Sequence, residues 1–295
     1  MAVVAEEQGR GIGDLPEECV SLILSFTSPR DACRSAAVSS AFLAAASSGV
    51  VWGRFLPPDY EEILSMLPAP LAFRSKKELY SRLCDSVLLI SGGRKIFALE
   101  RATGRKCVTL SARDLNIVWG DSPHYWRWTS VPDSRFSEAA ELLNVCWLEI
   151  RGKIACRMLS PKTTYVAHLV FKLSVESHGL DYPSQEGSIR AGSRVSSEEV
   201  CLHPCTQQRR SSRSNSVVRF RRMLSVRATP PPAAPSAAEK RQVPRARGDG
   251  WMEVLIGEFL NDDVDEEEVE VSFTEIRGGH WKSGLVVKGI EIRPK

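Results

Sequence analysis

The hydrophobic pattern of this chain changes period at Asp85. Before it, apolar residues recur at helical spacing. Val20, Ile23, Leu24 and Phe26 follow Pro16, and Ala32, Cys33, Ala36 and Ala37 follow Ser28-Pro29. After it, short apolar runs at 87–90, 96–99, 107–110 and 146–150 are separated by turn residues such as Gly92-Gly93 and Thr103-Gly104. The runs resume at 163–173, 251–256, 269–273 and 285–292, with no helical pattern between them. Strands without alternating helices pair as antiparallel layers. The fold class that follows is α+β and multidomain: a small N-terminal helical bundle, then an antiparallel β-sandwich carrying a disordered insert.

A length of 295 residues suits two domains, since single cores seldom grow past about 150 residues. The net charge of +3 is too small to indicate nucleic-acid binding, and it is unevenly spread. From Arg209 to Arg247 there are eleven basic residues against one acid, Glu239, whereas 262–270 holds only acids among its charged positions. No apolar run reaches membrane-spanning length and the N-terminus lacks a signal-peptide pattern, so no membrane association is expected. Eight cysteines scattered through apolar runs suit reduced thiols, which implies a cytoplasmic and nuclear location.

The helical half begins with Leu15-Pro16-Glu17-Glu18, where proline suits a helix first turn and the acids favour the dipole. Ser28-Pro29-Arg30-Asp31 opens a second helix, an Ala- and Ser-rich third covers 41–46, and Ser75-Lys76-Lys77-Glu78 is a capping box for another. Leu15-Pro16-Glu17-Glu18, Ile23-Leu24-Ser25-Phe26, Ser28-Pro29-Arg30-Asp31, Val38-Ser39 and Val51-Trp52 resemble the F-box over about forty residues. That resemblance implies docking on a Skp-type adaptor and, through it, a cullin. It assigns the apolar adaptor contact to Leu15, Pro16, Ile23, Leu24, Pro29 and Val38. The organisation expected is a flexible stretch at 1–12, an F-box at 13–57, a helical linker at 58–84 and a sandwich at 85–295.

Within the β half, residues 114–128 place Trp119, Tyr125, Trp126 and Trp128 among Gly, Asp, Pro and His. Proline and the Gly-Asp-Ser-Pro run exclude a continuous buried strand or helix, so a short strand and a loop are expected. Indoles beside carboxylates suit a sugar, whose C–H face stacks on the ring while its hydroxyls bond at the rim. This stretch, Trp147-Leu148-Glu149-Ile150-Arg151-Gly152-Lys153, and Trp281 to Pro294 resemble the phloem-lectin (Nictaba-like) family across nearly all of 85–295. The resemblance implies that Trp119, Trp126 and Glu268 bind N-acetylglucosamine- or mannose-type glycans, with Asp121 as a further acceptor. Trp128, Trp147, Trp251 and Trp281, each in a strand or at its end, are expected in the core.

Residues 184–248 contain Arg/Ser- and Pro/Ala-rich runs that cannot build a core, so a disordered insert is expected there. Cys201-Leu202-His203-Pro204-Cys205 offers too few ligands for a closed zinc site, and no metal or cofactor is expected. No nucleophile motif or phosphate loop accompanies His124. The sequence thus points to a non-catalytic recognition subunit of an SCF-type ubiquitin ligase whose clients are glycoproteins. The alternatives are a stress or defence lectin with little ligase role, and a ligase subunit that reads protein clients without sugar.

Overall fold

The computed structural model describes residues 12, 15–85, 88–131, 134–203, 241–262 and 268–295. Six α-helices come first: α1 (Glu17–Ser25), α2 (Pro29–Ser35), α3 (Ser40–Ser47), α4 (Gly49–Phe55), α5 (Tyr60–Ser65) and α6 (Lys76–Asp85). Serine caps define several starts. Ser28 Oγ accepts the Asp31 amide at 3.1 Å, Ser39 Oγ accepts that of Phe42 at 3.3 Å, and Ser75 Oγ accepts that of Glu78 at 3.1 Å. Glu78 reaches back to the Arg74 amide at 2.8 Å, one residue earlier than a standard capping box. Val20, Leu24, Ala32, Ala45, Val51, Trp52 and Phe55 fill the bundle, and Leu79, Tyr80 and Leu83 of α6 close it.

The rest is two antiparallel sheets face to face. The larger has nine strands: β1 (Leu88–Ile90), β2 (Lys95–Leu99), β3 (Lys106–Ser111), β14 (Ser283–Pro294), β8 (Thr163–His178), β12 (Met252–Asn261) and β11 (Arg245–Ala246) in that spatial order. Beside β14, β6 (Glu138–Leu142) carries β5 (Trp126–Ser130). The smaller runs β10 (Arg194–Val200), β9 (Gln185–Ala191), β13 (Glu268–Glu275), β7 (Leu148–Ala155) and β4 (Asn116–Ile117). Period-two alternation sets which face is inside. Leu148, Ile150, Gly152 and Ile154 of β7 and Val269, Val271 and Phe273 of β13 point inward. They meet Leu110, Leu169, Phe171, Ile290 and Ile292 of the larger sheet in one continuous core.

The hairpin β9–β10 corrects the sequence reading of the insert, which began disorder at residue 184. Residues 185–200 form two fully paired strands, from Gln185↔Val200 to Ala191↔Arg194. The inward positions of β9 are Gln185, Gly187, Ile189 and Ala191, so a single large apolar residue reaches the core and the segment reads as polar. Buried Gln185 is satisfied by the Leu180 and Pro183 carbonyls and the Leu202 amide. The insert is also corrected at its other end, where β11 (Arg245–Ala246) pairs with β12, while residues 204–240 of it and residues 1–11 of the expected flexible stretch at 1–12 lie outside the described residues.

Helices and sandwich share one buried core that runs from Trp52 and Tyr80 into Leu99 and Val108. Lys106, at the start of β3, is 4% exposed and donates to Asp59 Oδ2 at 2.6 Å and to the Arg157 carbonyl at 3.0 Å. The Tyr80 hydroxyl donates to the carbonyls of Glu100 and Arg101 in the β2–β3 turn. The helical residues 58–84 are thus a packed junction.

Candidate functional site

Helix α1 buries two serines beside Val20 and Leu24 and leaves other large apolar residues in solvent. Its small polar residues Ser21 and Ser25 are 2% and 3% exposed, and their hydroxyls donate to the Ala45 and Leu22 carbonyls. Its large apolar residues Leu22, Ile23 and Phe26 are 52%, 47% and 66% exposed. Leu15, Val38, Leu43 and Val50 add to the apolar side chains left in solvent around it. Burying these would release on the order of 1.5–3 kcal/mol per side chain, so an exposed cluster of this size marks a partner surface. Arg54 lies over the Phe26 ring at 4.3 Å, a cation at its edge.

A second site lies at one end of the sandwich. The chain leaves β4 with the Val118 amide on the Glu149 carbonyl at 3.0 Å, then turns sharply at Trp119, whose φ is +59°. A bulky residue in the left-handed region costs about 1–2 kcal/mol. Two neighbouring indoles hold the turn: Trp126 Nε1 donates to the Val118 carbonyl and Trp128 Nε1 to that of Gly120, both at 3.1 Å. Arg113 stacks on Trp128 at 3.6 Å and pairs with Glu138 through two hydrogen bonds. The result is a Trp119 ring left 43% exposed beside Tyr125, their centroids 5.1 Å apart, with Asp121 exposed in the same loop.

Strand β7 brings a further indole to this end. Trp147 immediately precedes Leu148, is 42% exposed, and donates from Nε1 to Glu149 Oε2 at 2.7 Å. Glu149 Oε1 accepts from Arg151 at 2.6 Å. Trp281 is 52% exposed, and its neighbour Lys282 forms an isolated antiparallel bridge with Val145. The end of the sandwich therefore presents stacking faces and a fixed carboxylate, the elements that sugar recognition needs.

Comparison with known proteins identifies the two domains. The F-box-like family model matches residues 12–57, and the phloem protein 2 model matches 105–294. The chain is an F-box protein of the phloem protein 2 family. Among its Arabidopsis thaliana relatives, F-box protein At2g02240 is 44% identical over 282 residues, covering 95% of this chain and 79% of the relative. F-box protein PP2-B15 is 42% identical over 287 residues, covering 95% and 96%, and F-box protein PP2-B10 is 40% identical over 282, covering 95% and 92%. Among solved structures, a Podospora anserina GH26-CBM35 β-(1,4)-mannanase superposes at a TM-score of 0.30 and 9% identity, over 64% of this chain and 28% of that one. That likeness is too loose to bear on fold or function.

The F-box module and the phloem protein 2 domain sort the expected site residues. In the module, Leu15, Pro16, Ile23 and Val38 are exposed, but Leu24 is 4% exposed and Pro29 is buried at the start of α2. Leu24 fills the bundle and is corrected from a contact residue to core, whereas Pro29 has little exposure but lines a groove beside α2. In the domain, Trp126 is 2% exposed with no free ring face, so it supports the loop and cannot itself stack on a ligand. Trp147 and Trp281 are corrected the other way, from core to surface, because the alternation that buries Leu148 and Lys282 turns their neighbours outward. Trp251 is buried as expected, and Trp128 is partly buried against the loop. Glu268 opens β13 opposite Ala155 and faces Lys153 at 3.6 Å. Trp119 follows the residue bonded to Glu149, at the far end of β7, so Glu268 stands about 20 Å away along the strand. Trp119 and Asp121 share a site; Glu268 does not join them.

Proposed function

We propose that this protein is the client-recognition subunit of an SCF-type ubiquitin ligase. Its F-box face, with Leu15, Ile23 and Val38 at its centre and Leu22 and Phe26 beside them, docks a Skp-type adaptor and through it a cullin. Ubiquitin transfer falls to the conjugating enzyme that the complex recruits. The observation that carries this reading is the solvent-facing side of α1, where Leu22, Ile23 and the C-cap residue Phe26 are left exposed while Ser21 and Ser25 are buried beside Val20 and Leu24. The phloem protein 2 domain selects clients by their N-acetylglucosamine- or mannose-type glycans. Trp119 and Trp147 supply stacking faces there, and Asp121 and Glu149 supply acceptors for sugar hydroxyls.

Two experiments test the two halves separately. Co-expression with a Skp-type adaptor and a cullin yields one complex on gel filtration if the first half holds. A glycan array probed with the full chain yields binding that Trp119→Ala removes if the second holds. Complex formation without glycan binding leaves a ligase subunit that reads protein clients. Glycan binding without complex formation leaves a lectin with no ligase role.

A further inference from the structure

A groove of about 600 Å³ lies where the F-box module meets the β2–β3 turn. Its floor is apolar: Pro29 of α2, Trp52 of α4, Tyr80 of α6 and Ala102. Its rim is cationic, with Arg30 and Arg34 on α2, Lys77 on α6 and Arg101 in the turn. Arg34 is paired with Asp31 and Arg101 with Asp85. Arg30 and Lys77 have no carboxylate partner among the described residues, and Lys77 only caps the Trp52 ring at 5.6 Å. Two uncompensated cations over an apolar floor are the complement of an acidic, apolar-anchored ligand.

The helix that supplies the floor also fixes where the groove opens. Trp52 lines it, whereas Arg54, two residues on and roughly 200° round the axis, lies over Phe26 on the exposed α1 face. The groove and the Phe26 ring therefore lie on different sides of α4. We propose that the groove docks an acidic segment of a protein other than the adaptor, namely the client. An apolar side chain of that segment rests on the floor, and its carboxylates pair with Arg30 and Lys77. Client capture then has two points, the groove and the aromatic end of the sandwich, and it needs no glycan at the first.

The test uses the full chain and a fluorescein-labelled nine-residue peptide of Glu and Asp around a central Leu, followed by anisotropy. Binding is expected, weakening at least tenfold for the Glu→Gln, Asp→Asn peptide, for Arg30→Glu/Lys77→Glu, and as salt is raised. The double variant is expected to bind a Lys-substituted peptide that the wild type rejects, a gain that a misfolded protein could not show. The same acidic peptide is expected to bind when a Skp-type adaptor is present. Equal binding of the acidic and neutral peptides, or unchanged affinity in the double variant, overturns the proposal. So does displacement of the peptide by the adaptor, which would make the groove part of the adaptor interface. If the adaptor fails to bind the chain at all, the ligase reading falls while the groove is still judged by the peptide and its variants.

Discussion

Trp126 buries its ring in the sandwich and donates its indole N–H to the Val118 carbonyl, and Trp119, seven positions earlier, is held in the left-handed region and turned to solvent. The same residue type therefore has opposite consequences. Trp126→Ala is expected to cost about 3–5 kcal/mol in a denaturant melt, through a cavity and a loosened loop. Trp119→Ala is expected to stay within about 1 kcal/mol of wild type, because it loses little packing. A second residue-scale expectation concerns His168 on β8. Burial, and then the Arg293 guanidinium 3.4 Å from its Nε2, push its pKa down to about 4. Arg247 opposes its proton too, while Glu253 and Glu291 partly favour it. An unfolded chain titrates this group near 6.5, so between those values the unfolded state binds more protons and stability rises with pH. Stability is expected to fall by roughly 1–3 kcal/mol as pH drops from 6.5 to 4, and His168→Gln to flatten that slope. Glu253, held low by Arg293, contributes stability above the ordinary carboxylate value and loses it as pH falls from there through its lowered pKa.

Among the elements, α1 and β9 show what a pattern can and cannot reveal. The apolar set Val20, Ile23, Leu24 and Phe26 marks a helix, and a helix is there. The set does not reveal which members face inward, because the buried face also uses Ser21 and Ser25, whose hydroxyls bond the Ala45 carbonyl of α3 and the local Leu22 carbonyl. The split of Leu24 from Ile23 is thus a packing outcome, invisible to periodicity. In β9 the same blindness hides a strand, since Gln185, Gly187 and Ala191 fill inward positions without hydrophobic signal. The Trp119 loop was legible from its Gly, Asp and Pro content. Which of its indoles faces solvent was not, since that depends on one positive φ and two indole hydrogen bonds. Trp147 was hidden by its position beside a strand, and the acidic Trp147-Leu148-Glu149 triplet was the available signal for it.

Taken whole, the molecule joins the F-box module and the phloem protein 2 domain through a packed junction. Lys106 is buried against Asp59 and the Arg157 carbonyl, and Tyr80 ties α6 to the β2–β3 turn. Such a junction fixes the bearing of the phloem protein 2 domain on the F-box, as a ligase that must present clients at a set distance would need. Calorimetry of the full chain is expected to show the helices and sandwich melting in one transition. Asp59→Ala leaves the Lys106 ammonium without its carboxylate, and is expected to cost about 1–3 kcal/mol, given that Asp59 is partly solvated. Two separated transitions in the wild type would show that the shared core does not couple the halves.

Adaptor docking on the exposed Leu22, Ile23 and Phe26 is tested most directly by titration calorimetry of the full chain with a purified Skp-type adaptor. Ile23→Asp alters an exposed side chain, so its melting temperature is expected to match the wild type. The account predicts stoichiometric binding by the wild type and at least tenfold weaker binding by Ile23→Asp. A folded wild type that does not bind, or a variant that binds equally well, would contradict it.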